Sequence, residues 1–592
     1  MWTSRRLPPR FGMTSFPAGL AVAAAVSFGA DPARAEERVD LDAVYRIKDE
    51  GFQRSKVMEL MSYLTDVHGP RLTGSPNSRA AADYAIKKLS EWGLTKPRLE
   101  KWGPFGRGWT SERFTAHAIT PQSYPLIGWA KAWTPGTNGS VTGEVVHASV
   151  QTDKDMETWK GKLRGKVVFV ASMREVRALF EPPGKRFTDA ELADMAKAPE
   201  PGRPQGVLSV RAEAEQERAR AMGGGDSPRP AIPLYVAPPD PGFPSSASAA
   251  GGAAARRAQR DFALRRMKFF LDEGVVALVE PGRGDGGTVF VQGGGPRDPK
   301  EPPVAPQVVL SVEHYGRIFR TLEKKLPVTI ELNIQNKLHD GDGSSFNVVA
   351  DLPGTDKSGE IVMIGAHIDS WHAGTGATDN ASGVAVMMEA MRILKTAGLK
   401  PRRTIRIGLW NGEEQGLLGS RAYVREHLAD RDTMKLKTDH AKISGYFNLD
   451  NGTGAIRGIY LQANETVAPI FDAFMAPFRN LGMTTITIRS TGSTDHVAFD
   501  AVGVPGFQFI QDQIEYGSRT HHSSMDVYER IQAADMMKNA VIVASFAYHT
   551  AHREAKLPRK PLPKPREKEP TDKPAGDKAP GDDRVTQNDR GE

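Results

Sequence analysis

Residues 366–383 read AHIDSWHAGTGATDNASG, which places His367, Asp369, His372 and Asp379 directly behind the apolar run IVMIG. Three later segments carry residues of the same chemistry: Glu413 and Glu414 in LWNGEEQ, Asp450 in FNLDN, and His522 in THHSSMD. Taken singly, a His-x-Asp at a strand end reads as a hydrogen-bonded turn and a Glu-Glu pair as a solvated cap. Taken together, several strand ends finishing in nitrogen and oxygen donors are hard to attribute to turn chemistry. The chain has no cysteine, so any metal must be held by imidazole and carboxylate, a donor set that suits zinc at about 2.0–2.2 Å.

Two dications held a few ångströms apart repel, and a carboxylate shared between them offsets that repulsion. Asp379 is the expected bridge, with His367, Glu414, Asp450 and His522 as the remaining metal ligands and two Zn2+ per chain as the cofactor. Two-metal hydrolysis also needs a base for the proton of its water. Glu413, beside a ligand but not itself one, fits that part. Asp369, two residues after His367, completes the expected catalytic group by orienting that imidazole, and Asp526, four after His522, is expected to do the same for the second.

These residues are useful only if the fold gathers them. From residue 345 strands alternate with helices, through FNVVADLPG, GEIVMIGAHID, a helix with Val384, Met387, Met388, Met391 and Leu394 on one face, and TIRIGLWNGEE, to a long helix at Ala533–His549. That pattern predicts an α/β fold, a mostly parallel central sheet with helices on both faces. Loops at the carboxyl ends of its strands form the ligand crevice.

The rest of the chain divides by composition. Residues 1–35 read as a signal peptide: arginines, a short alanine-rich apolar run, then Ala33-Arg34-Ala35 before Glu36. The run is too short for the roughly 20 apolar residues of a membrane span, so an exported protein, periplasmic or extracellular, is expected without stable membrane insertion. Residues 36–119 should hold the first helices of the catalytic domain. Residues 120–335 are valine-rich strands with turns, a separate β-rich domain containing a mobile excursion at about 180–255 rich in Pro, Gly and Ala. Residues 336–552 form the catalytic domain, and 553–592 a disordered tail of prolines and charges. The formal charge is +7, of which the first 35 residues hold +3 and the last forty +2, so the body carries only +2. That does not make a nucleic-acid footprint.

The motifs AHIDSWHAGTGATDNASG, LWNGEEQGLLG, FNLDN, STDHVAF with GVPGFQFIQD, and HHSSMD resemble those of the co-catalytic di-zinc exopeptidases, which include bacterial aminopeptidases and glutamate carboxypeptidases. The resemblance implies one zinc on His367 and Asp450, the other on Glu414 and His522, Asp379 shared, and a cis peptide between Asp379 and Asn380. Asp495 and His496 match a position near the substrate. The β-rich region resembles a protease-associated domain that covers the cleft in such enzymes. The implied activity is hydrolysis of terminal peptide bonds in small peptides, of aminopeptidase or dipeptidase type, with a carboxypeptidase as the alternative and a homodimer allowed. The same fold serves glutaminyl cyclases, which the length and the inserted domain argue against. It also serves receptor-like relatives that have lost their ligands, whereas this chain keeps every one. His372 is expected to be an exposed loop residue.

Overall fold

The computed structural model describes residues 37–198 and 253–566. The expected signal peptide lies outside them, as do most of the 180–255 excursion and the end of the tail.

The strand Lys357–His367 is buried continuously from Ile361 to its end, the pattern of a parallel strand covered on both faces. It pairs in parallel with Arg403–Trp410 on one side and Ile443–Asn448 on the other, and the latter pairs in parallel with Gly506–Gln511. Antiparallel neighbours Ser345–Leu352 and Thr95–Trp102 at one edge and Ile456–Tyr460 towards the other, with Thr485–Thr487 parallel to the last, extend the sheet to eight strands. Four of the seven pairings are parallel, as the α/β reading expects. The chain leaves Lys357–His367 for the strand on one side and later returns to the strand on the other. The carboxyl end of that strand is therefore the topological switch point, where a crevice opens.

Helix Ser382–Thr396 packs against this sheet and against helices Leu41–Gln53 and Ala533–His552. The expected apolar face is only part of what it buries. Every residue from Ser382 to Leu394 is inside, including Glu389 and Arg392, because Arg392 bridges Glu389 at 2.7 Å and Glu50 of the first helix at 2.5 Å. A buried charge is tolerated when it is paired and hydrogen-bonded in this way.

A second eight-stranded sheet holds the β-rich region. Its longest strands, Gly108–Thr120 and Thr329–His339, lie side by side and extend it beyond the expected 120–335 limits. The first was hard to see because GWTSERFTAHAIT is polar and half-exposed along much of its length.

Two segments expected to be loose are instead docked. Phe187, Leu192 and Met195 cluster with Tyr460 and Ile510 of the catalytic sheet, and the short helix Asp189–Ala196 starts at a Thr188/Glu191 capping box. In the tail, Leu557 is buried, Arg559 donates to the carbonyls of His440 and Ile443 at 2.8 and 2.6 Å, and Lys560 meets Asp500 at 2.7 Å. Cationic side chains on backbone carbonyls and on a carboxylate hold this stretch, so its low apolar content misleads. Among the described residues, no helix is long and apolar enough to cross a membrane.

Candidate metal centre

His367 is the last residue of its strand, beside Trp410 of the neighbouring strand. Its Nδ1–H donates to the backbone carbonyl of Asp369 at 3.1 Å, which leaves the Nε2 lone pair facing away from the strand. There Asp379 Oδ1 lies at 3.3 Å and Asp450 Oδ1 at 3.4 Å. The other oxygen of Asp379 faces a second group: His522 Nε2 is 3.2 Å from Asp379 Oδ2 and 2.8 Å from Glu414 Oε2. The single carboxylate of Asp379 thus presents one oxygen to each of two donor clusters.

The loop carrying Asp379 is held from several sides. Asp526 Oδ1 accepts the backbone N–H of Thr378 at 2.6 Å and its hydroxyl at 2.8 Å, and Asp526 Oδ2 accepts Asp379 N–H at 3.2 Å. Asp526 therefore orients Asp379, not His522 as its spacing suggested. Asn380 spans from Gly383 N–H to the carbonyl of Leu449, beside Asp450, and the Asp379–Asn380 peptide is cis. The glycines of AGTGA are there for close packing. Gly376 has φ 68°, and a β-carbon on it would stand 2.3 Å from that of Ser370.

Asp369 also does something other than its spacing suggested. Its carboxylate is 3.5 Å from His367 Nδ1, but it accepts the backbone N–H groups of Glu413 and Glu414 at 3.2 and 3.3 Å and the hydroxyl of Thr73 at 2.8 Å. It ties the Glu-Glu turn to the strand end.

Arg71, fully buried in the turn between the first helices, gave no sign of importance in the sequence. It donates to the carbonyls of Leu64, Ile368, Thr375 and Gly376 at 2.7–2.9 Å, bracketing the loop that contains Asp369. A lone arginine in a proline- and glycine-bearing turn carries no signal of such a role.

The remaining candidates differ in how near they stand to this centre. Asp495 is buried, and burial pushes its carboxyl up to about 7. His496 turns into the core, where Nε2–H donates to the carbonyl of Thr491 at 3.0 Å and the ring touches Gln462, so it is a structural residue. His372 is no exposed loop residue. Nε2–H donates to the carbonyl of Ala130 in the β-rich sheet at 2.7 Å, and the ring meets Trp109 edge-on at 4.9 Å. His521 lies 3.6 Å from Asp379 Oδ2 with its ring against that of His522, so Asp379, His521 and His522 also stand close enough together to share an ion. A carboxypeptidase would need an arginine for the substrate carboxylate, and Arg489 and Arg519 are tied instead to Asp194 and Glu515.

Charge and spacing fit a pair of cations. Ligand atoms about 2.0–2.2 Å from a tetrahedral zinc stand roughly 3.3–3.6 Å apart, close to the separations around His367. His367 Nε2, Asp379 Oδ2, Glu414 Oε1 and His522 Nε2 are buried and make no hydrogen bond, as donor atoms reserved for an ion would be. Burial, reinforced by Asp450 and Glu414, holds the Glu413 carboxyl well above the usual range, and burial beside Asp379 pushes Glu414 up to about 7. Burial opposes charge on His522, but Glu414 and Asp379 outweigh it and hold the ring up at about 9. Carboxylates crowded at this density are costly without positive charge between them.

Comparison with known proteins gives a family and a fold for the segment that carries these residues. Residues 347–547 match the model of Peptidase family M28. Carboxypeptidase Q of Homo sapiens is 30% identical over 257 residues, 43% of this chain and 52% of that protein. Leupeptin-inactivating enzyme 1 of Streptomyces exfoliatus is 34% identical over 218 residues, 34% of this chain and 47% of that protein. The chain thus spans about half the length of the curated relatives it matches. Among solved structures, the peptidase M28 precursor of Shewanella amazonensis superposes with a TM-score of 0.58 at 23% identity, covering 88% of this chain and 98% of that one, a likeness of fold. The resemblance to the co-catalytic zinc exopeptidases read from five motifs therefore holds over the segment that carries them.

Proposed function

We propose that this chain is a zinc-dependent exopeptidase that hydrolyses terminal peptide bonds of small peptides, with two zinc ions per chain. The observation that carries the reading is the placement of Asp379, one oxygen towards His367 and Asp450, the other towards Glu414 and His522. On this reading His367 and Asp450 hold one ion, Glu414 and His522 the other, and Asp379 both. When bound, the ions supply Lewis acidity to a water and to the peptide carbonyl.

The remaining steps belong to the chain's own side chains. Glu413, hung from Asp369 at the end of the neighbouring strand, takes a proton from the attacking water and passes it to the departing amine. A carboxyl whose affinity for protons is raised by burial is suited to both halves of that transfer. Asp369 and Asp526 keep Glu413 and Asp379 in place. The β-rich half, which takes Trp371 of the ligand loop into its apolar cluster, acts as a protease-associated-like cover that restricts the cleft to short chains. The Ala33-Arg34-Ala35 pattern supports export.

We favour an aminopeptidase or dipeptidase. The relatives named carboxypeptidase Q favour the second reading, removal of a C-terminal residue. A panel of dipeptides with free, N-blocked or C-amidated ends, offered to the zinc-loaded chain, separates the two. Loss of cleavage on N-blocking supports the first, loss on amidation alone supports the second, and no hydrolysis of any member would overturn both.

A further inference from the structure

Among the proposed ligands, His522 alone has its backbone in the left-handed region, with φ 61°. A residue with a β-carbon is seldom found there unless its surroundings hold it. Four contacts reach this loop from residues 289–292 of the β-rich half. Ser524 N–H donates to the carbonyl of Val289 at 2.9 Å, Val289 N–H donates to Ser524 Oγ at 3.1 Å, and Val291 N–H donates to the carbonyl of His522 at 3.2 Å. The fourth is a side chain: Gln292 Nε2 is placed 2.8 Å from His522 Nδ1, the amide oxygen being the alternative occupant of that position. Val289 and Val291 are buried against Val309, so the segment is anchored in its own sheet.

That fourth contact controls which ring nitrogen carries the proton. An amide end offers a donor and an acceptor of nearly the same shape, exchanged by a half-turn. With its nitrogen towards Nδ1, Gln292 donates to the ring, and the proton of a neutral imidazole sits on Nε2, where it blocks metal binding. With its oxygen towards Nδ1, Gln292 accepts the ring proton, and the Nε2 lone pair is left facing Asp379 and Glu414. Only the second arrangement makes His522 a ligand.

We propose that Gln292 is a positioning residue of the metal centre, setting the tautomer and ring orientation in which His522 receives an ion. This rests on the di-zinc reading above and extends it, because Gln292 lies outside the 347–547 family match. The β-rich half is then part of the metal site as well as a cover over it.

The test is zinc titration of the full chain against a competing chelator, with steady-state kinetics alongside. In Gln292→Leu, which removes both donor and acceptor, one of the two ions should bind about 10 to 100-fold more weakly while the other changes by less than about threefold. Gln292→Glu offers only acceptors and should bind both ions at least as well as the unsubstituted chain. Equal weakening of both ions in Q292L, unchanged zinc affinity with a raised KM, or a tenfold loss in Q292E would each overturn the proposal. Q292E decides the matter even if Q292L folds poorly. An unsubstituted chain that takes up fewer than two ions would overturn the functional reading, and this inference with it.

Discussion

Asp369 Oδ1 accepts the backbone N–H of Glu413 at 3.2 Å, so the turn carrying the proposed base hangs from the strand end carrying His367. Asp369→Asn keeps the shape but leaves at most one carbonyl oxygen for three donors. Zinc affinity should fall about 10 to 100-fold, and kcat should fall with it as Glu413 shifts. Chelator competition and single-turnover kinetics measure the two effects. Unchanged values of both would contradict the assignment.

Glu413 is not among the ligands proposed for either ion, so Glu413→Gln should leave zinc content intact and lower kcat by about 10²–10⁴-fold. Metal analysis of the same preparation used for kinetics checks both halves. A variant of normal turnover would remove Glu413 as the base.

Arg71 donates to four carbonyls while fully buried. Arg71→Met removes the guanidinium donor from all four carbonyls, of which Gly376 keeps the Ala381 N–H, and should destabilise the chain by about 3–5 kcal/mol. Urea unfolding of the zinc-free protein gives the value, and a loss below about 1 kcal/mol would show that the loop is held by other means.

Acid should weaken the fold through two neutral histidines. Burial holds His372 and His496 down at about 4, against about 6.5 in an unfolded chain. Between those values the unfolded state binds the protons, so this contribution is complete above about pH 6.5 and is lost as pH falls towards 4. Each pH unit in the window is worth about 1.4 kcal/mol per histidine. His372→Gln should lose stability less steeply between pH 6.5 and 4 than the unsubstituted chain, read from urea midpoints. An identical slope would contradict the account.

The α/β class, and the gathering of His367, Asp379, Glu414, Asp450 and His522 at the carboxyl ends of the central strands, were legible in the sequence. Buried strands leave continuous apolar runs, and in a parallel sheet their carboxyl ends converge. What lay behind the ligands was not legible. Spacing put Asp526 behind His522 and Asp369 behind His367, yet both carboxylates serve mainly to hold backbone N–H groups of other loops. Such bonds depend on how loops meet, which local spacing does not encode. Arg71 comes from a segment whose composition marks it as a turn and Gln292 from the end of the run TVFVQ, read as a strand, and the partners that tie them to the site, Ile368 and His522, lie 230 or more positions away. The docked helix Asp189–Ala196 was announced by its capping box, a signal outweighed by the Pro- and Gly-rich stretch around it.

The shared use of Asp379 is tested most directly by zinc content. The full chain, equilibrated with zinc and dialysed, should retain two ions, and Asp379→Ala should lose at least one while remaining folded. Retention of fewer than two ions by the unsubstituted chain, or an unchanged content in D379A, would contradict a carboxylate bridge at this site.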